Sequence, residues 1–406
     1  MRCGLIGKKL GHSYSPQIHA LLADYSYELF ELDEQQLADF FAAADFDGVN
    51  VTIPYKQTVM PYCAHIDAAA EKIGCVNTVV NRGGVLTGYN TDYYGFRTLL
   101  HSLCDIRGGK ALILGGGASS KTVRAVIEDE GGTAVVISRS GGPGCNYADI
   151  ACHYADTRLI VNTTPVGMYP NTLESPLDLS GFTQLSAVAD IIYNPARTQL
   201  LLDAERLGIP CANGLLMLAA QAEAAAKLFT DSDTTAASAA EIRDIIAKEQ
   251  QNIVLIGMPG CGKSSIGNAI AARLGRRFVD SDAEVLRMFG RTPEAIINED
   301  GEAAFRACET AALQELCKQS QLVIATGGGA VTQPANADIL RQNGIIVWLQ
   351  RELGELARDG RPLSAGDGAL ERLYAERQPL YAALADIRIS NDAAPDAVAE
   401  RLLQQL

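Results

Sequence analysis

Short apolar runs alternate along the chain with stretches in which apolar positions recur every three to four residues, the pattern of parallel α/β layers. Strands are predicted at residues 3–7, 27–32 and 48–53. Helices are predicted to open at Ser15-Pro16, where proline suits a first helical turn, and to span 34–44. Residues 75–91 are β-rich. Further along, strands are predicted at 110–114, 134–138, 159–162 and 188–192, with a helix at 121–130. An Ala-rich helix over 215–229, apolar on several faces, is expected to pack back on the first segment. Residues 230–250 turn to Thr, Ser, Asp and Ala without an aromatic side chain, which marks a linker. Its second half has helical character: Ser238 and Glu241 are spaced as a capping box, and Ile242, Ile245 and Ile246 fall on one face. A last α/β pattern fills 251–406.

This organisation divides the 406 residues into a substrate-binding segment (1–95, completed by helix 215–229), a nucleotide-binding segment (96–214), the linker (230–250) and a C-terminal domain (251–406). Lys and Arg total 34 against 48 Asp and Glu, a net charge of −14. That balance argues against nucleic acid or an anionic membrane as partner, both of which select for concentrated cations. The first residues lack the basic flank and apolar core of a signal peptide, and no apolar run approaches the roughly 18 residues of a membrane span, so a cytoplasmic protein is expected. Ten cysteines lie between Cys3 and Cys317 without a Cys-x-x-Cys pair or a histidine at metal-ligand spacing. They are expected to be reduced and mostly buried.

The strongest chemical signal is Gly257-Met-Pro-Gly260-Cys261-Gly262-Lys263-Ser264-Ser265, set between a β-branched strand run and a helical pattern. This is a phosphate loop in its required strand, loop, helix setting. Its glycines let backbone N–H groups converge on phosphate oxygens, Lys263 neutralises charge, and the Ser264 hydroxyl is suited to ligate Mg²⁺. Downstream come Asp280-Ser-Asp282, Gly301-Glu-Ala-Ala-Phe-Arg306-Ala-Cys-Glu309, Thr326-Gly327-Gly328-Gly329, Arg361-Pro-Leu and Arg377-Gln-Pro-Leu-Tyr. Together these closely resemble shikimate kinase over about 252–406. The resemblance implies a nucleoside-monophosphate-kinase-like parallel sheet, ATP as phosphoryl donor, Mg²⁺ on Ser264 and Asp280, and Asp282 as base or orienter of the substrate hydroxyl. It further implies that Arg306 and Arg377 grip the substrate carboxylate, where a planar guanidinium can bond in bidentate fashion. Gly328 would allow the backbone to approach the ring, and Arg361 would be a lid arginine over ATP.

The turn Gly115-Gly116-Gly117-Ala118-Ser119-Ser120 follows a strand and opens a helix, a Rossmann-type dinucleotide signature. An NAD site is expected to carry Asp or Glu about 20 residues on, at the end of the second strand. Here that strand ends in Ser138-Arg139-Ser140, so a cation faces the ribose and NADP(H) is the expected cofactor.

His12-Ser13-Tyr-Ser15-Pro-Gln-Ile-His19, Asn50-Val-Thr52-Ile-Pro-Tyr-Lys56, Gly74-Cys-Val-Asn77-Thr and Gly88-Tyr-Asn90-Thr-Asp92 are followed by Asn162-Thr-Thr-Pro-Val-Gly167-Met, Asp190-Ile191-Ile-Tyr193-Asn-Pro and Gly214-Leu-Leu-Met-Leu-Ala-Ala-Gln221. Seven patches in this order closely resemble shikimate dehydrogenase over about 1–229. The resemblance implies that Ser13 and Ser15 hold the substrate carboxylate, while Thr52, Asn77, Asp92 and Gln221 surround its hydroxyls and reacting carbon. Lys56, tuned by Asp92, would exchange the proton as hydride moves to or from nicotinamide. Ile191, Tyr193 and Gly214 fall at cofactor- or substrate-proximal positions, and His12 and His19 are given no role. Two departures from the family pattern stand out. Ala118 replaces a further glycine, and Arg139 is followed by Ser140 and Gly141 rather than by more basic residues, which weakens the preference for NADP over NAD.

The reading is thus a two-step enzyme, acting on 3-dehydroshikimate and then shikimate as small-molecule substrates, with self-association into a homo-oligomer left open. Two alternatives remain: a kinase carrying a non-catalytic sensor of shikimate-like ligands, and a dehydrogenase acting on quinate.

Overall fold

In the computed structural model, residues 1–11, 13–142, 144–356 and 369–406 are described. Arg361 and His12 lie outside them. The chain gathers into two compact units: Met1–Val166, Ser175–Tyr193 and Asp203–Ala247 form the first, while Gly167–Glu174, Asn194–Leu202 and Lys248–Leu406 form the second.

The first unit holds two sheets. One runs through β1 (Arg2–Gly7), β2 (Ser26–Glu31), β3 (Gly48–Val51), β4 (His65–Ile66), β5 (Thr78–Arg82) and β6 (Val85–Tyr89), in the order β2-β1-β3-β5-β6-β4. It is parallel from β2 to β3 and antiparallel from β3 to β6. The turn at Gly83 and Gly84, both with positive φ, lets β5 fold straight back on β6. The other sheet is wholly parallel: β7 (Lys110–Leu114), β8 (Thr133–Ile137), β9 (Thr157–Asn162), β10 (Ala187–Asp190) and β11 (Cys211–Ala212), in the order β11-β10-β9-β7-β8. Strands such as Lys110-Ala-Leu-Ile-Leu are buried almost throughout, as expected of a parallel sheet covered on both faces.

Helices Thr91–Leu103 and Leu215–Thr230 pack tightly beside the two sheets. Gly95 makes their approach possible, because a Cβ there would sit 2.5 Å from the Met217 carbonyl oxygen. The stretch expected as a linker carries helix Ala239–Gln250. Ala239, Ile242 and Ile246 of this helix are buried in the same core as Ile18, Leu99 and Ala222. Ile245 departs from the expectation. At i+3 from Ile242 it falls on the flank of the apolar stripe and stays 37 % exposed, while the i,i+4 pair faces inward. The Ser238 capping box forms, with Glu241 Oε2 accepting from the Ser238 N–H at 2.8 Å.

The second unit carries the parallel sheet β12 (Asn252–Ile256), β13 (Arg277–Asp280), β14 (Leu322–Ala325), β15 (Gly344–Gln350) and β16 (Ile387–Ser390), in the order β13-β14-β12-β15-β16. With β12 central, the loop that follows it emerges at the carboxyl edge of the sheet, where open α/β sheets bind ligands. The cysteines correct one expectation. All are free, but only Cys3, Cys75, Cys261 and Cys317 are buried, and Cys152 is exposed. Among the described residues no helix is long and apolar enough to cross a membrane.

Candidate active sites

In the first unit most of the substrate-site residues singled out by sequence lie on loops and helices beside the mixed sheet. Lys56 follows β3 and Asp92 opens helix Thr91–Leu103, and their side chains meet in an ion pair of 2.6 Å, both mostly buried. Burial by itself lowers the lysine pKa, yet the charge and hydrogen bond of Asp92 outweigh it and hold the ammonium above its ordinary value. Asn90 caps this helix by accepting from the Tyr93 N–H, which places Asp92 in the first turn, where the helix dipole favours a carboxylate.

Asn77 precedes β5 and is locked from its neighbour element: its Oδ1 accepts the Thr91 N–H at 2.6 Å, and its Nδ2 donates to Thr91 Oγ1 at 3.1 Å. The Thr91 hydroxyl also reaches Gln221 Oε1 at 3.4 Å, so Asn77, Thr91, Asp92 and Gln221 share one locality. Thr52 donates its N–H to Ile6, at the carboxyl end of β3. Ser13 donates to Ser15 Oγ at 3.1 Å, and the intervening Tyr14 packs on Tyr193 with ring centroids 5.4 Å apart. That contact brings Tyr193 to the serine pair. His19 is buried beneath Tyr27, stacked at 3.9 Å, and its pKa is pushed down to about 3 by burial, so its ring is neutral.

The Gly-rich turn after β7 is shaped by close approach. Gly115 has φ +106°, and a Cβ on it would sit 2.9 Å from the Thr164 methyl carbon. Gly117 caps helix Ala118–Asp129, which begins three residues earlier than its apolar periodicity suggests because the turn feeds directly into it. Gly116, Ala118 and Ser119 are wholly or partly exposed there, as are Ser138, Arg139 and Ser140 at the end of β8. Gly214 lies against Ile191, whose carbonyl oxygen would be 2.0 Å from an added Cβ.

In the second unit the phosphate loop runs from Gly257 to helix Lys263–Leu274, with positive φ at Gly257, Gly260 and Gly262. Lys263 Nζ donates to the carbonyls of Gly257 and Met258 at 2.9 and 3.0 Å, holding the loop curled around its ammonium, and Cys261 is packed beneath. Ser264 Oγ donates to Asp280 Oδ2 at 2.9 Å, with Ser265 beside it in the first turn. Two hard oxygen donors at the mouth of a phosphate loop fit a magnesium ion.

Behind this mouth, four buried atoms have no hydrogen-bond partner among the described residues: Asp282 Oδ1, Arg306 Nε, Glu309 Oε1 and Arg377 Nε. They gather at Gly327-Gly328-Gly329. A Cβ on Gly327 would lie 2.2 Å from Glu309 Oε1 and 3.3 Å from Asp282 Oδ1, one on Gly328 would strike Pro259 at 2.6 Å, and one on Gly329 would strike Arg306 at 2.1 Å. The three glycines therefore let acids and guanidiniums close in on one spot. Arg306 Nη1 bonds Glu309 at 2.7 Å and Nη2 bonds Glu302 at 2.9 Å, while Tyr381 ties the Gly328 carbonyl to Arg377. Burial first, then the charges of Asp280 and Glu309, push Asp282 up to about 6, against the opposing pull of Lys263 and Arg306. Buried polar groups ordinarily find partners, and a cluster of unpaired ones close to a phosphate loop marks a place for a polar ligand.

Sequence reasoning passed over Glu309. Its signal was its position three residues after Arg306, which puts the two on one helix face, where Glu309 is fully buried. It also passed over Thr91 and the helix-capping Asn90, both beside Asp92, the residue of that patch it did single out.

A lysine–aspartate pair beside a Rossmann-type sheet fits an oxidoreductase, and the phosphate loop on a parallel sheet with β12 central fits a phosphotransferase. Comparison with known proteins gives the families. Residues 5–79 match the model of the shikimate dehydrogenase substrate binding domain, and residues 259–406 match that of shikimate kinase. The shikimate dehydrogenase (NADP(+)) of Caldanaerobacter subterraneus is 37% identical over 253 residues, 56% of this chain and 90% of that protein. A crystal structure of a chorismate mutase/shikimate 5-dehydrogenase fusion protein from Clostridium acetobutylicum has a TM-score of 0.56 at 33% identity, covering 61% of this chain and 97% of that one. The Thermus thermophilus shikimate 5-dehydrogenase, solved in complex with NADP(H) and shikimate, has a TM-score of 0.54 at 29% identity and covers 60% of this chain and 99% of that one. The chain belongs to the shikimate dehydrogenase family and carries a shikimate kinase domain after it, two enzymes of the shikimate pathway in one polypeptide.

Proposed function

We propose that the chain reduces 3-dehydroshikimate to shikimate with NADPH and then phosphorylates the 3-hydroxyl so formed with ATP. The observation that carries the reading is the Lys56–Asp92 pair at 2.6 Å, a proton donor set among the hydrogen-bonding side chains of Asn77, Thr91 and Gln221. NADPH, when bound, supplies hydride to the C3 carbonyl. The Lys56 ammonium gives its proton to the carbonyl oxygen as the C–H bond forms, and Asp92 holds that ammonium in place. Ser13 and Ser15 take the carboxylate, with Thr52, Asn77, Tyr193 and Gln221 around the ring. The cofactor pyrophosphate rests on Gly115 to Ser119 at a helix N-terminus, and the nicotinamide end is framed by Ile191 and Gly214.

In the kinase half, Arg306 and Arg377 hold the shikimate carboxylate over Gly328. Asp282 accepts the proton of the 3-hydroxyl as its oxygen bonds to the γ-phosphorus and the bond to the ADP oxygen breaks. Lys263 and the loop amides of Gly260 to Ser265 neutralise the phosphates, and Ser264 and Asp280 would hold Mg²⁺, which supplies charge stabilisation to the transferring phosphoryl group.

A cofactor and substrate panel tests the first step. Reduction of 3-dehydroshikimate is expected with NADPH, and Arg139→Ala is expected to raise KM for NADPH about tenfold while leaving KM for NADH unchanged, the loss of one charge-assisted contact to the 2′-phosphate. Equal activity on quinate, or no reduction of 3-dehydroshikimate, would contradict the reading.

A further inference from the structure

We propose that Tyr27 is a positioning residue for the reductase substrate, fixing through Asn50 which way the Thr78 hydroxyl directs its proton beside Asn77 and Thr91. The proposal rests on the reading of the first unit as a 3-dehydroshikimate reductase.

A continuous line of hydrogen bonds runs through the interior of the mixed sheet. It begins at Ser13, which donates to Ser15, and Ser15 in turn hydrogen-bonds the Tyr27 hydroxyl. Tyr27 donates to Asn50 Oδ1 at 2.7 Å, Asn50 Nδ2 donates to Thr78 Oγ1 at 3.0 Å, and Thr78 Oγ1 lies 3.0 Å from Thr91 Oγ1 and 3.2 Å from Asn77 Oδ1. Thr91 continues the line to Gln221. The groups expected to grip the carboxylate at one end and the hydroxyls at the other are thereby joined.

The line has a polarity, and Tyr27 sets it. A carboxamide in isolation can face either way, because its oxygen and nitrogen ends have the same shape. With the Tyr27 hydroxyl donating to Asn50 Oδ1, Asn50 must offer Nδ2 to Thr78. The Thr78 oxygen is then an acceptor on that side, and its single proton is left for Asn77 Oδ1 or Thr91. Asn77 Oδ1 is pinned independently by the backbone N–H of Thr91, a group that can only donate. Without the tyrosine hydroxyl, Asn50 gains by turning its oxygen toward Thr78, which draws the threonine proton away from Asn77. Asn50, Asn77, Thr78 and Thr91 are all buried, so water does not restore the lost bond. The His19 ring, stacked on Tyr27 at 3.9 Å, holds the phenol plane against rotation.

The test compares steady-state kinetics of the full chain with Tyr27→Phe, which keeps the stacked ring, with Thr78→Val, and with Thr78→Ser, which keeps the hydroxyl. Expected for Tyr27→Phe and Thr78→Val is a KM for 3-dehydroshikimate raised about fivefold, the equivalent of one hydrogen bond. kcat should stay within about twofold, KM for NADPH should not change, and Thr78→Ser should behave as wild type. An unchanged KM for 3-dehydroshikimate in both variants would overturn the proposal, as would a parallel loss toward NADPH, the mark of general loosening. Failure of the wild type itself to reduce 3-dehydroshikimate would instead sink the functional reading, so the two failures are distinguishable.

Discussion

Asp282→Asn is expected to lower ATP-dependent phosphorylation of shikimate by about 10²- to 10⁴-fold while NADPH oxidation on 3-dehydroshikimate continues at the wild-type rate. Asparagine keeps the shape and the neutral charge of the protonated acid but cannot accept the hydroxyl proton. The wild-type rate should carry the signature of the same group. With Asp282 pushed up to about 6 by burial and by Asp280 and Glu309, the phosphorylation rate should rise with pH, half-maximal near 6, and level off a pH unit or more above it. The sign for stability is opposite. A carboxyl whose folded value lies above its unfolded value binds a proton more tightly when folded, so folding stability from this group falls as pH rises between about 4 and about 6. A phosphorylation profile flat from pH 5 to 8, or an Asp282→Asn enzyme of normal rate, would remove the aspartate from the proton's path.

Lys56→Ala carries the second large effect: a loss of about 10²- to 10⁴-fold in NADPH oxidation, with phosphorylation of added shikimate unaffected. NADPH binding, followed by its fluorescence, should persist, because the role proposed for Lys56 is at the reacting carbonyl rather than at the cofactor phosphates. The raised pKa of Lys56 also separates the two directions of the first reaction. Reduction draws on the ammonium, which is fully present at neutral pH. Oxidation of shikimate needs the free amine, so its rate should climb as pH rises above neutral. A Lys56→Ala enzyme that oxidises NADPH as fast as wild type would leave the first unit as a sensor of shikimate-like ligands.

The sequence and the structure agree best where chemistry is written into contiguous residues. The phosphate loop is legible because strand, glycines, Lys263 and Ser264 are neighbours in the chain, and the strands are legible because a doubly covered parallel sheet demands unbroken apolar runs. What escaped is what depends on distant pairing. Tyr27 lies on β2 at the edge of its sheet and carries no motif, yet its hydroxyl meets Asn50 from 23 positions away. Glu309 lies within a quoted motif, but its importance comes from full burial against Arg306 and from the approach of Gly327, neither of which has a sequence signal. Glycine triplets are similarly ambiguous. Gly328 was singled out, whereas the packing shows that Gly327 and Gly329 are needed just as much, for the room they leave to Glu309 and Arg306. Residues 230–250 read as a linker from composition, because small side chains are common to linkers and to close-packed helices. The Ser238–Glu241 spacing marks the second half as a helix, and burial of Ile242 and Ile246 shows that it packs into the core.

The central claim is that one chain makes a hydroxyl and then phosphorylates it. The most direct measurement supplies 3-dehydroshikimate, NADPH, ATP and Mg²⁺ to the full chain and follows NADPH loss, ADP formation and the product's ³¹P spectrum together. The account predicts one ADP for each NADPH consumed, shikimate 3-phosphate as product, and no ADP when NADPH is left out. ADP formed from 3-dehydroshikimate without NADPH, or NADPH consumed with shikimate accumulating and no phosphate ester formed, would contradict it.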